Sequence, residues 1–495
     1  MTFKQILLIT FGMAATLLVA SCSQEEHPDM PDDGGARQLR ITVTDGGYAA
    51  DGKNGTRAVE NGYTTEFTAG DACGLYIVRS GGNVAYSNVK LTAKASTDGT
   101  LAWQPEEEIN LNGGYHAEQY FLYYPYQPDM TGKINAASTS SDTYFFAPLI
   151  SGWQPAADQS TYAQYTASDL MTAKGSAEKN TDDGKLLLVF SMTHRMAHAV
   201  IDVPKTVYHF TNTDVSISDY VVAPDFTGSE VKPYYRETDE AYHCIVKPAG
   251  GTATTITGSY YGEDQKDFAI PANIAAGSYK RYVVEEVPIV EKEHLLQVGD
   301  YYLADGHLLS KDRTLTDEEK KRVIGIVFHA GHPTDDPSNY SQSGIGLTKC
   351  HGYVVALQDA YEGKCQWGNG SITHNGLSSG YDSTWDIIGK VGVSNLESKK
   401  LQAFYYAVVK YQENCPAPIN SSGWFLPSKN QLYILQSIGS RLFNSASVGN
   451  QFSSGNYFSS TMRHDGYVYG SSLLSSTVVE WPQHLTANVR SVLAF

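Results

Sequence analysis

The chain has 495 residues, with 36 Lys and Arg against 53 Asp and Glu, giving a net charge of −17. That acid excess excludes nucleic acid and anionic lipid headgroups as primary partners, because counterion release would oppose such binding. The length exceeds what one hydrophobic core sustains, and 34 Tyr and 45 Gly, with abundant Thr and Ser, favour pleated surfaces over helix.

At the N-terminus, Lys4 precedes an almost uninterrupted apolar run from Ile6 to Val19. The run is too short to span a bilayer and sits where the core of a secretory signal belongs. It closes in Val19-Ala20-Ser21-Cys22. A Cys directly after a small pair resembles a lipoprotein lipobox. Residues 1–21 are therefore expected to be a signal peptide, and Cys22 the lipidated residue that holds the chain on the outer membrane. No cofactor is expected beyond that covalent lipid. The acidic Ser23-Gln24-Glu25-Glu26 that follows resembles a surface-export tag. Residues 22–36 are Pro-, Gly- and acid-rich and read as a solvated tether. No other segment approaches the roughly 18 apolar residues of a spanning helix.

Leu39, Ile41 and Val43 alternate with Arg40, Thr42 and Thr44, which predicts a strand. Asp45 to Gly62 is Gly-rich, polar and without period, so a long exposed loop is expected. Strands follow at Cys73–Val78, Val84–Leu91, Leu101–Trp103, Gln119–Tyr126, Gly184–Ser191 and Met196–Val203. A second group runs through Val215–Val222, Tyr242–Val246, Thr254–Ser259, Asp267–Ile270 and Tyr279–Val287. Short strands separated by turn signals predict two tandem β-sandwiches, residues 37–190 and 191–295.

Residues 296–495 read as an α+β unit. Asp317–Lys321 is a charged helical patch, and Leu396–Val409 places Leu401, Phe404, Tyr405 and Val408 on one helix face. Ser428 is a predicted N-cap for a helix carrying Leu432, Leu435 and Ile438. The five Cys after Cys22 (Cys73, Cys244, Cys350, Cys365 and Cys415) lack CxxC spacing and an even count, and are expected to be buried free thiols.

Several pieces together resemble the fimbrillin family of Bacteroidetes pilus subunits. They are the lipobox, Ile41-Thr42-Val43, Thr56-Arg57-Ala58, and the run from Phe67 to Tyr76. Asp169-Leu170-Met171, Met192 to Ala197, and Asp267-Phe268-Ala269-Ile270-Pro271 extend the match over roughly residues 40–295. The resemblance implies tandem fimbrillin-like sandwiches, a lipoprotein precursor, and a surface protease that cuts after an Arg near the N-terminus. Release of the first strand then lets a groove accept a strand from another pilus subunit. Arg57 fits the cut, lying in a polar loop after the first strand, with Arg37 and Arg40 as lesser candidates.

In the C-terminal unit, Gly423 to Ser428, Tyr457 to Thr461 and Val489 to Phe495 resemble C-type-lectin-like domains and the related sulfatase-modifying modules. That resemblance implies an adhesive head at a fimbrial tip, facing a host or bacterial surface glycan or protein. The alternative is a non-polymerising outer-surface glycan-binding lipoprotein.

Candidate chemistry is sparse. Gln127-Pro128-Asp129 matches a lectin tripeptide but lies in the first sandwich and reads as a turn. His194 and His198 lack a third ligand, and His329, His332 and His351 read as loop histidines, so no metal is expected. No nucleophile or phosphate motif occurs, and no thiol follows Cys415, so no catalytic residue and no enzymatic activity are expected. Trp367, Trp385 and Trp481 lie in polar or Gly/Ser/Asn-rich stretches; the preferred reading is that they plug the core of a loop-rich fold, and they are also the candidate ligand-stacking residues.

Overall fold

A computed structural model describes residues 39–51, 63–79, 82–95, 101–111, 118–179, 186–250, 253–333, 340–343, 347–368, 379–398, 400–439, 441–444, 448–464, 466–475 and 478–495. The first strands are β1 (Leu39–Asp45), β2 (Ala49–Ala50), β3 (Ala72–Arg79), β4 (Asn83–Ala95), β5 (Leu101–Pro105), β6 (Gln119–Tyr124), β7 (Met171–Lys179) and β8 (Leu186–His194). All but β2 form one seven-stranded sheet in the order β1-β8-β7-β6-β3-β4-β5. Its ladders are antiparallel except the last, where β1 runs parallel to β8 with Leu39 opposite Leu186 and Asp45 opposite Met192.

Side-chain alternation decides what this sheet faces. Ile41 and Val43 join Leu75, Ile77, Leu91, Leu122, Leu188 and Phe190 in one core on the inner face. The sheet curls until its end strands, β1 and β5, approach each other. Between them is a cleft of about 470 Å³, lined by Thr42, Val43, Glu66, Phe67, Leu101 and Trp103. On the outer face, Tyr76, Val78, Phe121 and Tyr123 pack under Phe145, Phe146 and Leu149, which come from short helices at Asp142–Phe145 and Ala147–Gly152.

The second unit contains β9 (Ala197–Asp202), β10 (Lys205–Phe210), β11 (Tyr220–Val222), β12 (Tyr234–Arg236), β13 (Ala241–Val246), β14 (Thr254–Tyr261), β15 (Gln265–Ala272), β16 (Ser278–Val283) and β17 (Ile289–His294). One sheet runs β12-β13-β9-β16-β2 and faces the β14-β15 hairpin across Ile201, Cys244, Val246, Ile256 and Ile270. The opposite face contributes Val200, Ala241, Ile245 and Tyr279 to the same cluster as Tyr76 and Phe121, so the seven-stranded sheet and the second unit share a core. β8 runs unbroken to His194, across the expected boundary at 190/191.

The third region is α+β. Tyr301–Leu303, Leu308–Leu309, Val323–Ala330, Gly352–Ala356 and Val492–Ala494 form a five-stranded antiparallel sheet. Helices at Gly380–Val391 and Lys429–Ile438 cover it. Ser428 caps the second helix, in a capping box with Gln431. The helix expected over Leu396–Val409 is interrupted instead. Lys400 takes φ 58°, and helical structure resumes only at Gln402. All five described cysteines are free, with Cys73, Cys244 and Cys365 buried. Among the described residues no helix is long and apolar enough to cross a membrane.

One buried cation organises the end of the chain. Arg490 is 1% exposed. Its Nε donates to Asp359 at 2.7 Å, its Nη1 donates to the Ala356 carbonyl, and its guanidinium rests against Phe443 and Phe452. Removing the cation would leave Asp359, a partly buried carboxylate, without its counterion and with only Ser453 and Tyr457 hydroxyls donating to it. Arg490→Ala is therefore expected to cost about 3–5 kcal/mol in a urea unfolding experiment. A loss below about 1 kcal/mol would show that the pair contributes little.

Candidate functional site

The chain from β1 to β2 is the part of the molecule most distinctively placed. β1 ends one sheet and β2 ends another, so twelve residues, 39–50, edge both sheets. β2 pairs in parallel with β16, Ala49 opposite Ser278 and Ala50 opposite Tyr279. Two glycines make the crossing possible. A Cβ on Gly46 would sit 2.7 Å from the Met192 carbonyl oxygen, to which Gly46 N–H donates, and Gly47 has φ 72°.

At this crossing the expected exposed loop is instead anchored. The Asp45 side chain is 4% exposed and Tyr48 is also 4% exposed. Asp45 accepts from Gly47 N–H at 3.0 Å and Thr65 N–H at 2.5 Å, and its Oδ1 lies 2.8 Å from His194 Nε2. On the other side of that ring, Asp169 Oδ2 lies 2.8 Å from His194 Nδ1. Tyr48 stacks on the imidazole with centroids 3.7 Å apart and donates its hydroxyl to Asp169 Oδ1 at 2.7 Å. His194 is thus enclosed by two carboxylates and an aromatic face. Burial opposes its protonation, but Asp169 and Asp45 outweigh burial and push its pKa up to about 9.

A second group holds the chain where it re-enters after residues 52–62. Tyr63 accepts the Tyr48 N–H through its carbonyl, lies under the Arg236 guanidinium at 4.7 Å, and meets Tyr279 edge-on. Arg281, paired with Asp202, donates to its hydroxyl at 3.2 Å. Beside it, His198 Nε2 is 2.9 Å from His243 Nδ1, and Asp239 lies against His243 Nε2. Burial and the nearby Arg236 hold His243 down at about 4, and His198 is likewise depressed. The chain on either side of residues 52–62 is therefore tied together, by Tyr48 N–H to the Tyr63 carbonyl and by Thr65 N–H to Asp45, and each side also has partners of its own.

Of the residues singled out in the sequence, Cys22, Arg37 and Arg57 lie outside the described residues. Arg40 has an exposed side chain, but its backbone is fixed in the β1–β8 ladder opposite Leu187, unlike the accessible extended chain a protease needs. The three tryptophans form no ligand-stacking surface. Trp367 is fully buried against Phe404 and donates to the Ser459 carbonyl at 2.8 Å, so stacking would require opening the core. Trp385 and Trp481 are half-buried against the same core, with enclosed indole nitrogens. Asp129 accepts from Thr131 N–H in a turn, and no group of His, Cys, Asp and Glu among the described residues is arranged to hold a metal. Asp45, Tyr48 and Asp169 were not singled out as site residues by the sequence. The available signals were a lone Tyr in a Gly-rich loop and a His closing an apolar strand.

The charge on His194 couples this anchor to pH. Its folded-state pKa lies above the ordinary 6.5, so its stabilisation is complete below about 6.5 and is lost as pH rises through about 9. The groups facing it titrate elsewhere. Asp45 is held low, Tyr48 and Tyr165 are pushed well above 10 by burial, and His198 and His243 sit below the window. The melting temperature is expected to fall between pH 7 and pH 9.5, and His194→Gln is expected to flatten that dependence while costing about 3 kcal/mol at pH 7. An unchanged slope in the variant would remove His194 from this role.

Comparison with known proteins matches this geometry to a family. Residues 56–278 match the family model described as fimbrillin-like (Mfa_like_1). A Bacteroides ovatus protein named "Putative fimbrium tip subunit Fim1C" is 29% identical over 490 residues, covering 88% of this chain and 87% of its own. A Bacteroides uniformis protein named "Putative fimbrium subunit Fim1C" is 24% identical over 251 residues, covering 50% of this chain and 67% of its own. The crystal structure of a fimbrial protein from Bacteroides ovatus superposes with a TM-score of 0.61 at 24% identity, covering 93% of this chain and 100% of that one. The named relatives are fimbrial proteins, and over residues 56–278 this chain is similar to the fimbrillin-like family.

Proposed function

We propose that the chain is a fimbrial subunit of the cell surface, assembled by exchange of its N-terminal strand. In this reading the precursor reaches the outer membrane as a lipoprotein anchored at Cys22. A protease then cuts within residues 52–62 after Arg57, with Arg37 as a lesser site; Arg40, held in the β1–β8 ladder, does not suit the cut. The lipid, β1 and β2 leave together, and a strand from another pilus subunit enters the vacated groove. The head is residues 296–495, read as a C-type-lectin-like adhesive domain at the fimbrial tip. The relative named as a tip subunit, which aligns over most of both chains, supports that placement.

One observation carries this reading: β1 and β2 are both terminal strands of their sheets. The segment can depart without breaking any interior ladder. It cannot depart without consequence, because Ile41 and Val43 belong to the main core and each contributes roughly 1.5–3 kcal/mol by burial. The exposed edge of β8 would then offer unpaired backbone groups beside an apolar trough, which another extended segment can satisfy. At the other end of the chain, Val492–Ala494 is already paired with Tyr353–Val355 and Phe495 is fully buried. Those residues are not free to serve as a donor strand.

Limited proteolysis tests the reading. Cleavage in the 52–62 loop is expected to release a fragment ending at Arg57, leaving a folded remainder that binds a stalk subunit, and Arg57→Ala is expected to block the release. If the fragment stays bound, or if the remainder unfolds on losing it, strand exchange is wrong for this chain.

A further inference from the structure

We infer that the groove left by residues 39–50 selects its occupant by charge as well as by shape. The incoming strand of a neighbouring subunit must bring a carboxylate to His194 and, three residues later, an aromatic ring to the face of that imidazole. The inference rests on the strand-exchange reading above and specifies the partner that reading requires.

The groups that would remain after release define the site. Where the Asp45 carboxylate now sits, Thr65 N–H donates to Oδ2, and His194 Nε2 lies 2.8 Å from Oδ1 as an ion-pair contact without hydrogen-bond alignment. Neither belongs to the departing segment. A carboxylate matches both, whereas an amide or hydroxyl would forgo the charge-assisted contact with the imidazolium. Leaving the position empty would strand a buried charged ring with one counterion and an unsatisfied amide. Where Tyr48 now sits, the flat face of His194 is uncovered, and Asp169 Oδ1 loses its hydroxyl donor. An aromatic ring with a polar tip fits that slot, as tyrosine does now.

The path between the two positions is narrow. Any side chain at the position of Gly46 meets the Met192 carbonyl, and the next residue needs a positive φ. Upstream, Ile41 and Val43 occupy inward-facing places on alternate residues. The groove therefore fits a segment of the form aliphatic, any, aliphatic, any, acid, glycine, glycine, aromatic. Charge complementarity at His194 favours an acidic strand over a neutral or basic one of equal hydrophobicity.

Peptide binding to the processed full chain tests this directly. The chain is nicked in the 52–62 loop, the N-terminal fragment is removed, and a peptide with the sequence of residues 39–50 is titrated calorimetrically. The native peptide is expected to bind, and the Asp45→Asn peptide to bind about tenfold or more weakly. The Tyr48→Ala peptide should lose a comparable factor. On His194→Gln protein the preference for Asp over Asn should vanish. The peptide substitutions leave the protein untouched, so the result does not depend on the variant folding. If the Asp and Asn peptides bind the native protein equally well, the charge selection is overturned while strand exchange survives. If no peptide binds a folded, fragment-free chain, strand exchange itself fails.

Discussion

His194 stands where β8 leaves one sheet and the chain turns into β9 of the next, and its two ring nitrogens face carboxylates from opposite ends of the fold. Asp169 belongs to the segment that leads into β7, and Asp45 closes the N-terminal strand. Burial of an imidazolium is costly unless both its N–H groups are met by charge. This residue meets that condition only while the N-terminal strand is in place. The same contact therefore fixes the register of β1 and joins the N-terminal strand to the seam between the two units.

Much of this architecture depends on where strands end, not on what they contain. β1 and β2 are unremarkable in composition, yet each is the outermost member of its sheet. Between them the chain crosses the seam through Gly46 and Gly47, with no room for a side chain at the first. Tyr48 and Tyr63, which bracket residues 52–62 in sequence, are each held by side-chain partners outside that stretch.

Most of the β framework was legible in the sequence. The alternation Leu39-Ile41-Val43, the block Cys73–Val78 and the aromatic run from Gln119 each became strands in the expected places, because their period of two matched a one-sided or fully buried sheet position. Ser428 was legible as an N-cap for the same reason, a local side-chain-to-backbone bond. The helix at Gly380–Val391 was not. Its Gly- and Ser-rich start conceals Ser379 as the cap and Tyr381, Ile387 and Ile388 as a buried face. The site was still less legible. Nothing local buries Asp45 or Tyr48. Their partners, Asp169 and His194, lie more than a hundred residues away, and a Gly-rich polar stretch looks the same whether or not such partners exist. Trp367 is a core plug, the reading favoured over ligand stacking despite its polar sequence neighbours.

The central claim is that the segment 39–50 can leave while the sheets behind it remain. Amide hydrogen exchange on intact and processed chains measures this most directly. The account requires the β8 amides that pair with β1, within residues 186–192, and the β16 amides beside β2 to lose protection after processing. The amides of β3, β6 and β7 should keep theirs. Loss of protection throughout the seven-stranded sheet would contradict it, since the N-terminal strand would then be an integral part of the fold and not a replaceable edge.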